Sequence, residues 1–504
     1  MSALYSIATI RCIESRWLQV LPAGMLMRRA ARAVADEVER HARSLDPGRP
    51  ILAVAGPGSN GADALLAGLL LAERGFEVRA VALAAIPPAA PDAASVWAAW
   101  QSRLGAPMAC SELVRCLSGQ PLVIDGLFGI GLTRPLEGLA AEAIETINRS
   151  GMPIVAVDVP SGLDADRGSI VGGARSPAIR ATATVTMIAD KPGLHTGGAL
   201  DRVGRLVVAD LGLAPGEDST GPAADGTLFD RDEASRLTGP RLRDSHKGSF
   251  GSVLIAAGAA TMRGAALLAA AGAQAGGAGK IFVSSPDGPI FDPGQPQWMT
   301  RAWFSTSDAL QAFDAIDALV IGCGLGTGEP CRLACERVLA GTLPLVVDAD
   351  ALTAIAAQPA LQSLLQARTV SPVLTPHPRE AARLLNCSVE SIQSDRIAAA
   401  RTLAAWARAV VVLKGAGTVV AAPAGHWSII GSGSPSLATA GTGDVLAGLI
   451  GALQAQGHDP ESASLLAAWS HGLGGEMAQQ CLPFGIGMAA AELPDYVRRV
   501  LNGR

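Results

Sequence analysis

At 504 residues, with 58 Gly and 32 Pro, the chain is too long for one ordinary core and reads as two to four domains of short elements joined by turns. A net charge of −5 and a pI near 5.9 argue against nucleic acid as the main partner, and two Tyr and nine Phe leave few rings for stacking on single strands. The 49% hydrophobic content can fill a large core, and eight scattered cysteines without a Cys-x-x-Cys point to reduced thiols in the cytoplasm.

Residues 1–10 are followed by Arg11, Glu14 and Arg16, which interrupt any signal-peptide pattern. Residues 12–43 read as largely helical through Leu18, Leu21, Met25, Met27, Ala31 and Val34, with Pro22 starting or kinking a helix. A short apolar strand, 50–55, then runs into Gly56-Pro57-Gly58-Ser59-Asn60-Gly61-Ala62-Asp63, and a helix follows through Leu65, Leu66, Leu69 and Leu71. Strand, glycine-rich turn and helix are the first unit of a doubly wound sheet. Phe76 to Leu83 reads as the next strand, and helical patterns fill 92–105 and 111–117.

Leu122 to Asp125 is a strand ending in a carboxylate, followed by a loop from Gly126 to Leu132. Pro153 to Val157 ends in Asp158-Val159-Pro160-Ser161-Gly162. Three strands thus end in Asn/Asp- and Gly-rich loops, and in an open parallel sheet such ends share one crevice. Ala183 to Ile188 and Leu206 to Ala209 complete this sheet, and the Pro-, Gly-, Asp- and Ser-rich run 213–226 reads as a linker. No repeat of 20 to 50 residues is present.

A second α/β sheet starts near Asp225. Its strands are Ser252 to Ala256, Lys280 to Ser284, Ala318 to Ile321, Pro344 to Val347, Val373 to Thr375 and Val410 to Leu413. The Ala-rich run after Ser252 is broken by Arg263 and by glycines, so it reads as a buried strand and the helix 265–275, not a membrane span. The later strand ends carry Gly322-Cys323-Gly324-Leu325-Gly326, Asp348-Ala349-Asp350, Pro376-His377-Pro378 and Lys414-Gly415-Ala416-Gly417-Thr418.

Ser436 to Ile450 follows: glycines and small residues lead into Asp444, after which Leu446, Leu449, Ile450 and Leu453 fall at helical spacing. The unpaired amides of such a helix start suit a phosphate. A carboxylate there is either a base for an attacking hydroxyl or only a residue matched to the helix dipole.

These blocks resemble the bifunctional NAD(P)H-hydrate repair enzymes, over nearly the whole chain. In the first half the resemblance rests on Ser59 to Asp63, Asp125 to Arg134 and Asp158 to Gly162. In the second it rests on Ser245 to Gly248, Gly322 to Gly326, Asp348 to Leu352, Leu374 to Glu380, Lys414 to Thr418 and Gly441 to Asp444. Ser59, Ala62 and Ala64 depart from the family's usual first loop, Asn-Asn-Gly-Gly-Asp-Gly, and Arg379 stands where a glycine is common.

The resemblance implies a Rossmann-like epimerase domain, residues 1–220, and a ribokinase-like ADP-dependent dehydratase domain, residues 221–504. The first would interconvert the R and S forms of the hydrated nicotinamide ring. The second would remove water from the S form while ADP becomes AMP and phosphate. The resemblance implies that Asn60, Asp125 and Ser161 hold potassium. It implies that Ser59, Asn60, Gly61, Ala62, Asp63, the run Gly129, Ile130, Gly131, Leu132, Thr133, Arg134 and Pro135, and Asp158 contact the hydrate in the first domain, with Asp158 as acid/base. In the second, Ala265, Gly324, His377 and Asp444 would meet the hydrate, with Asp444 as base. Lys414, Gly415, Ala416, Gly417, Thr418 and Gly443 would hold ADP or AMP.

His377, between two prolines, is otherwise a capping or core-edge residue. Asp348 and Asp350 either hold a magnesium water or cap a helix. Small-molecule substrates, a homo-oligomer, and no nucleic-acid or membrane partner are expected. Two rivals stand beside this reading: an ATP-dependent kinase in the second domain, and a first domain that binds without turnover.

Overall fold

The computed structural model describes residues 2–45, 48–84, 90–213, 221–304 and 313–503. The chain divides into two compact units, Ala3–Gly226 and Thr227–Arg504 with Met1–Ser2.

The smaller unit is built on a seven-stranded sheet whose described pairings are all parallel. In spatial order its strands are Met108–Ala109, Val78–Ala82, Ile51–Ala55, Leu122–Gly126, Ile154–Val157, Ala183–Met187 and Arg205–Ala209. The order reverses between Ile51–Ala55 and Leu122–Gly126, which in doubly wound sheets is where a crevice opens at the carboxyl ends. The central strands are buried along their whole length, so they read as unbroken apolar runs. The helical stretch expected over 12–43 is two helices, Ile7–Leu18 and Met25–Leu45, with Pro22 in the break between them. Of the expected linker, 214–220 lies outside the described residues, and Gly226 opens the strand Gly226–Phe229.

The larger unit carries an eleven-stranded sheet. Seven strands run parallel, in the order Val410–Leu413, Val373–Leu374, Leu345–Val347, Ala318–Ile321, Ser252–Ala256, Lys280–Ser284 and Met299–Thr300. The sheet continues through an antiparallel hairpin, Val419–Ala421 and Trp427–Ile430, then Gly226–Phe229 and the edge strand Ser2–Leu4. That hairpin was not read from the sequence, because Val419–Ala421 is only three residues long.

Two helices fix the position of Asp444. Thr442–Ala455 packs against Arg263–Ala275 along a seam of glycines. A Cβ on Gly448 would stand 1.8 Å from the Ala269 carbonyl oxygen, and one on Gly272 would stand 2.1 Å from that of Val445. Both obstacles are backbone, so neither can swing aside. Gly448→Ala is therefore expected to destabilise the larger unit by about 1–3 kcal/mol, toward the upper end, as overpacking does. The check is the urea midpoint of that unit; an unchanged midpoint would show that the seam can open enough to admit a methyl group.

Candidate active sites

In the smaller unit, the loops after Ile51–Ala55 and Leu122–Gly126 meet across the reversal point. The Gly56 amide donates to the Gly126 carbonyl at 3.0 Å. A Cβ on Gly56 would lie 1.8 Å from the Leu127 carbonyl oxygen, so only glycine permits this approach. Helix Ser59–Glu73 starts immediately beyond and carries Ser59, Asn60, Gly61, Ala62 and Asp63 in its opening turn. A Cβ on Gly129 would come 2.9 Å from Asn60 Oδ1, so the Gly129–Pro135 loop reaches this turn. Arg134 is exposed.

Asp125 and Ser161 form one buried knot. Ser161 Oγ donates to Asp125 Oδ1 at 2.7 Å, the Ser161 amide to Oδ2 at 2.9 Å, and the Leu127 amide to Oδ1 at 3.2 Å. Burial pushes the Asp125 carboxyl up to about 6, partly opposed by those bonds. Asn60 Nδ2 and Asp63 Oδ1 are buried atoms without a hydrogen-bond partner among the described residues. Burial first, then the charges of Asp158 and Glu14, holds the Asp63 carboxyl well above the usual carboxylate range.

Asp158 sits at the end of Ile154–Val157 with φ +65°, a left-handed conformation that Asp tolerates better than most residues. Its Oδ1 accepts from Lys191 Nζ at 2.8 Å and from the Met187 amide at 3.1 Å. Lys191 is fully buried and also donates to Thr186 Oγ1 at 2.6 Å and the Met187 carbonyl at 3.0 Å. Neither Lys191 nor Glu14 was singled out from the sequence. Lys191 follows the strand Ala183–Met187, so a fourth loaded strand end was the available signal. Glu14 lies on helix Ile7–Leu18 and left no signal in sequence.

In the larger unit, the parallel strand ends deliver one cluster. Lys414, after Val410–Leu413, places Nζ 2.7 Å from Oδ1 of Asp348, which follows Leu345–Val347. A Cβ on Gly443 would stand 3.3 Å from Lys414 Nζ. Cys323 Sγ and carboxylate oxygens of Asp348 and Asp444 lie within 4.8 Å of one another. The Cys323 thiol donates to Asp444, which burial and Asp348 push up to about 7 against the lowering effects of Cys323 and Lys414. Burial works to lower Lys414, but Asp348 and Glu380 outweigh it and its ammonium is favoured.

Gly441, at φ +95°, turns the chain into helix Thr442–Ala455, so the helix start faces this cluster. His471 is buried behind it, kept neutral by burial that takes its pKa to about 4, with Nε2 2.9 Å from the Thr442 carbonyl. Gly324, at φ +56°, has no room for a Cβ, which would lie 2.8 Å from Ala265 Cβ.

Gly415 is pinned by Arg396, a buried guanidinium that donates to the Leu413 and Lys414 carbonyls at 3.1 and 3.3 Å. Gly417 is buried, whereas Ala416 is exposed and Thr418 half-buried. His377 caps helix Pro378–Leu384: its Nδ1 accepts from the Arg379 and Glu380 amides at 3.1 and 3.3 Å, and Glu380 Oε2 accepts from the His377 amide. The exposed Arg379 thus sits in a regular first helical turn. Asp350 Oδ2 accepts from the Gly326 amide at 2.8 Å. Cys323, Arg396 and His471 were not singled out from the sequence. Cys323 lay inside a loop already singled out, whereas Arg396 opens helix Arg396–Ala407 and His471 lies inside Pro460–Cys481, places that sequence spacing does not distinguish from ordinary packing.

No helix among the described residues is long and apolar enough to cross a membrane. The family model described as NAD(P)H-hydrate dehydratase matches residues 253–499, and that described as YjeF-related protein N-terminus matches residues 23–193. The bifunctional NAD(P)H-hydrate repair enzyme of Moorella thermoacetica is 36% identical, over 96% of this chain and 93% of its own. That of Escherichia coli is 36% identical, over 90% and 85%. Among solved structures, the ADP/ATP-dependent NAD(P)H-hydrate dehydratase from Bacillus subtilis, co-crystallised with ATP/Mg2+, is 31% identical over 55% of this chain and 98% of its own, at a TM-score of 0.48. With both halves matched in order, and the first of these relatives aligned over nearly its whole length, the chain belongs to the family of bifunctional NAD(P)H-hydrate repair enzymes.

Proposed function

We propose that the chain repairs hydrated NADH and NADPH at two sites: residues 1–220 interconvert the R and S hydrates, and residues 221–504 dehydrate the S form with ADP. The observation that carries the second activity is Asp444 in the first turn of a helix, beside Lys414 and Asp348. A ring hydroxyl is a poor leaving group. Phosphorylation makes it a good one; the ring nitrogen's lone pair then expels phosphate, and the resulting iminium loses a proton from the neighbouring ring carbon to solvent, which restores the dihydropyridine. Asp444, with a pKa near 7, suits a base that takes the hydroxyl proton as oxygen attacks the β-phosphate of ADP.

The amides at the start of helix Thr442–Ala455 and the Lys414 ammonium stabilise the negative charge of the transferring group. Lys414, Gly415, Ala416, Gly417, Thr418 and Gly443 line the nucleotide, and Ala265, Gly324 and His377 meet the hydrate. Magnesium does not fit a protein cage here: Lys414 already neutralises Asp348, and the neighbouring donor is a soft thiol. No step is assigned to it.

In the smaller unit, the fit to a monovalent cation rests on Asp125, a buried carboxylate bonded only to a hydroxyl and amides among its described partners. Asn60, Asp125 and Ser161 would hold potassium, which supplies charge compensation when bound. Asp158 serves as acid/base for epimerisation, and the turn Ser59–Asp63 with Gly129–Pro135 receives the dinucleotide. The free cysteines accord with a cytoplasmic setting.

The test mixes both hydrate epimers with the full chain, with and without ADP. Loss of S hydrate only with ADP, formation of AMP, and conversion of R through S are expected. ADP made from ATP with the hydrates untouched would favour a kinase. Cys323→Ala removes a donor that favours ionised Asp444, so the rise of dehydration with pH, centred near 7, is expected to move alkaline. Cys323→Ser, which keeps a donor, is expected to restore it. A pH profile unmoved in the Ala variant would deny Cys323 that role.

A further inference from the structure

Asn60 and Asp63 are three residues apart on the opening turn of helix Ser59–Glu73, so they share one face. Each carries a buried polar atom, Asn60 Nδ2 and Asp63 Oδ1, with no hydrogen-bond partner among the described residues. Each such atom leaves a desolvation cost unmet, which a polar ligand would meet. The charged groups facing Asp63 are Asp158, from the end of Ile154–Val157, and Glu14, from helix Ile7–Leu18. Behind them stand Lys191, bonded to Asp158, and Arg11, near Glu14.

Asp158 has a buried ammonium at 2.8 Å, whereas Asp63 has two acidic neighbours, Asp158 and Glu14. Neighbouring carboxyls in such unlike surroundings divide the work of acid and base. We propose that Asp63 is a catalytic acid of the epimerisation, handing its proton to the departing ring hydroxyl, while Asp158 takes a proton from the water that returns. This deepens the epimerase reading and rests on it.

The chemistry balances. The C–O bond beside the ring nitrogen breaks with its electron pair going to oxygen. The Asp63 proton joins that oxygen, and water leaves. The nitrogen lone pair forms a C=N bond, giving a planar iminium. Water adds to the other face, the π pair returns to nitrogen, and the extra proton passes to Asp158, whose charge Lys191 holds until then. One proton has moved from Asp63 to Asp158. The reverse turnover, or exchange with solvent, restores the starting state.

Asp63→Asn keeps the shape of the carboxyl but has no acidic proton. In the full chain, R-to-S conversion is expected to fall about 100-fold or more, the range of a lost general acid. ADP-dependent dehydration of S hydrate, the internal control, is expected to be unchanged. Because Asp63 acts while protonated, wild-type epimerisation is expected to decline as pH rises through its raised pKa, and Asp63→Asn to lack that decline. Full epimerase activity in Asp63→Asn overturns the proposal alone. So does a slowed variant that keeps the same decline with pH, since Asp63 would then only bind. Wild-type protein that converts R hydrate no faster than buffer overturns the epimerase reading itself.

Discussion

Asp444→Asn is expected to abolish dehydration of S hydrate, by about 10²–10⁴-fold, while leaving ADP binding nearly intact. Asparagine has the same shape and still sits in the first turn of Thr442–Ala455, so the helix start and Lys414 remain in place for the phosphates. What disappears is the group that accepts the hydroxyl proton. Misfolding would not explain the loss, because the sign of the stability change runs the other way. Burial and Asp348 raise Asp444 from 3.8 to about 7, so its ionisation costs folding free energy as pH climbs through that window. The Asn variant lacks that cost and is expected to be at least as stable as the parent at pH 8. Calorimetry with ADP, denaturation at pH 8 and an S-hydrate assay test all three points. Undiminished dehydration would remove Asp444 from the role of base.

The regular strands were legible because a parallel sheet buried on both faces demands unbroken apolar runs, and Ile51–Ala55, Leu122–Gly126 and Ser252–Ala256 supply them. The loaded strand ends were legible for a related reason. Gly, Asp, Asn and Ser beside an apolar run have no packing duty, so their chemistry stands out. Strand order was not, since nothing local says that Leu122–Gly126 rather than Val78–Ala82 lies between Ile51–Ala55 and Ile154–Val157. The partners of the acids were hidden too. Lys191 reaches Asp158 from 33 positions away, and Lys414 reaches Asp348 from 66. His377 shows a finer limit: its place at a strand end was visible, but its capping box with Glu380 depends on which way the imidazole turns.

Lys191→Met is expected to destabilise the smaller unit by about 3–5 kcal/mol and to remove epimerase activity with it. Asp158 would keep its place beside the Met187 amide and the Thr186 hydroxyl, but neither offers a compensating charge. A buried carboxylate stranded without its counter-charge carries an uncompensated desolvation cost, which lost packing alone would not impose. The double variant Lys191→Met with Asp158→Asn removes both charges and is expected to regain much of the stability while staying inactive toward the R hydrate. A double variant no more stable than the single one would mean that Lys191 supports the fold by filling space and not by compensating Asp158.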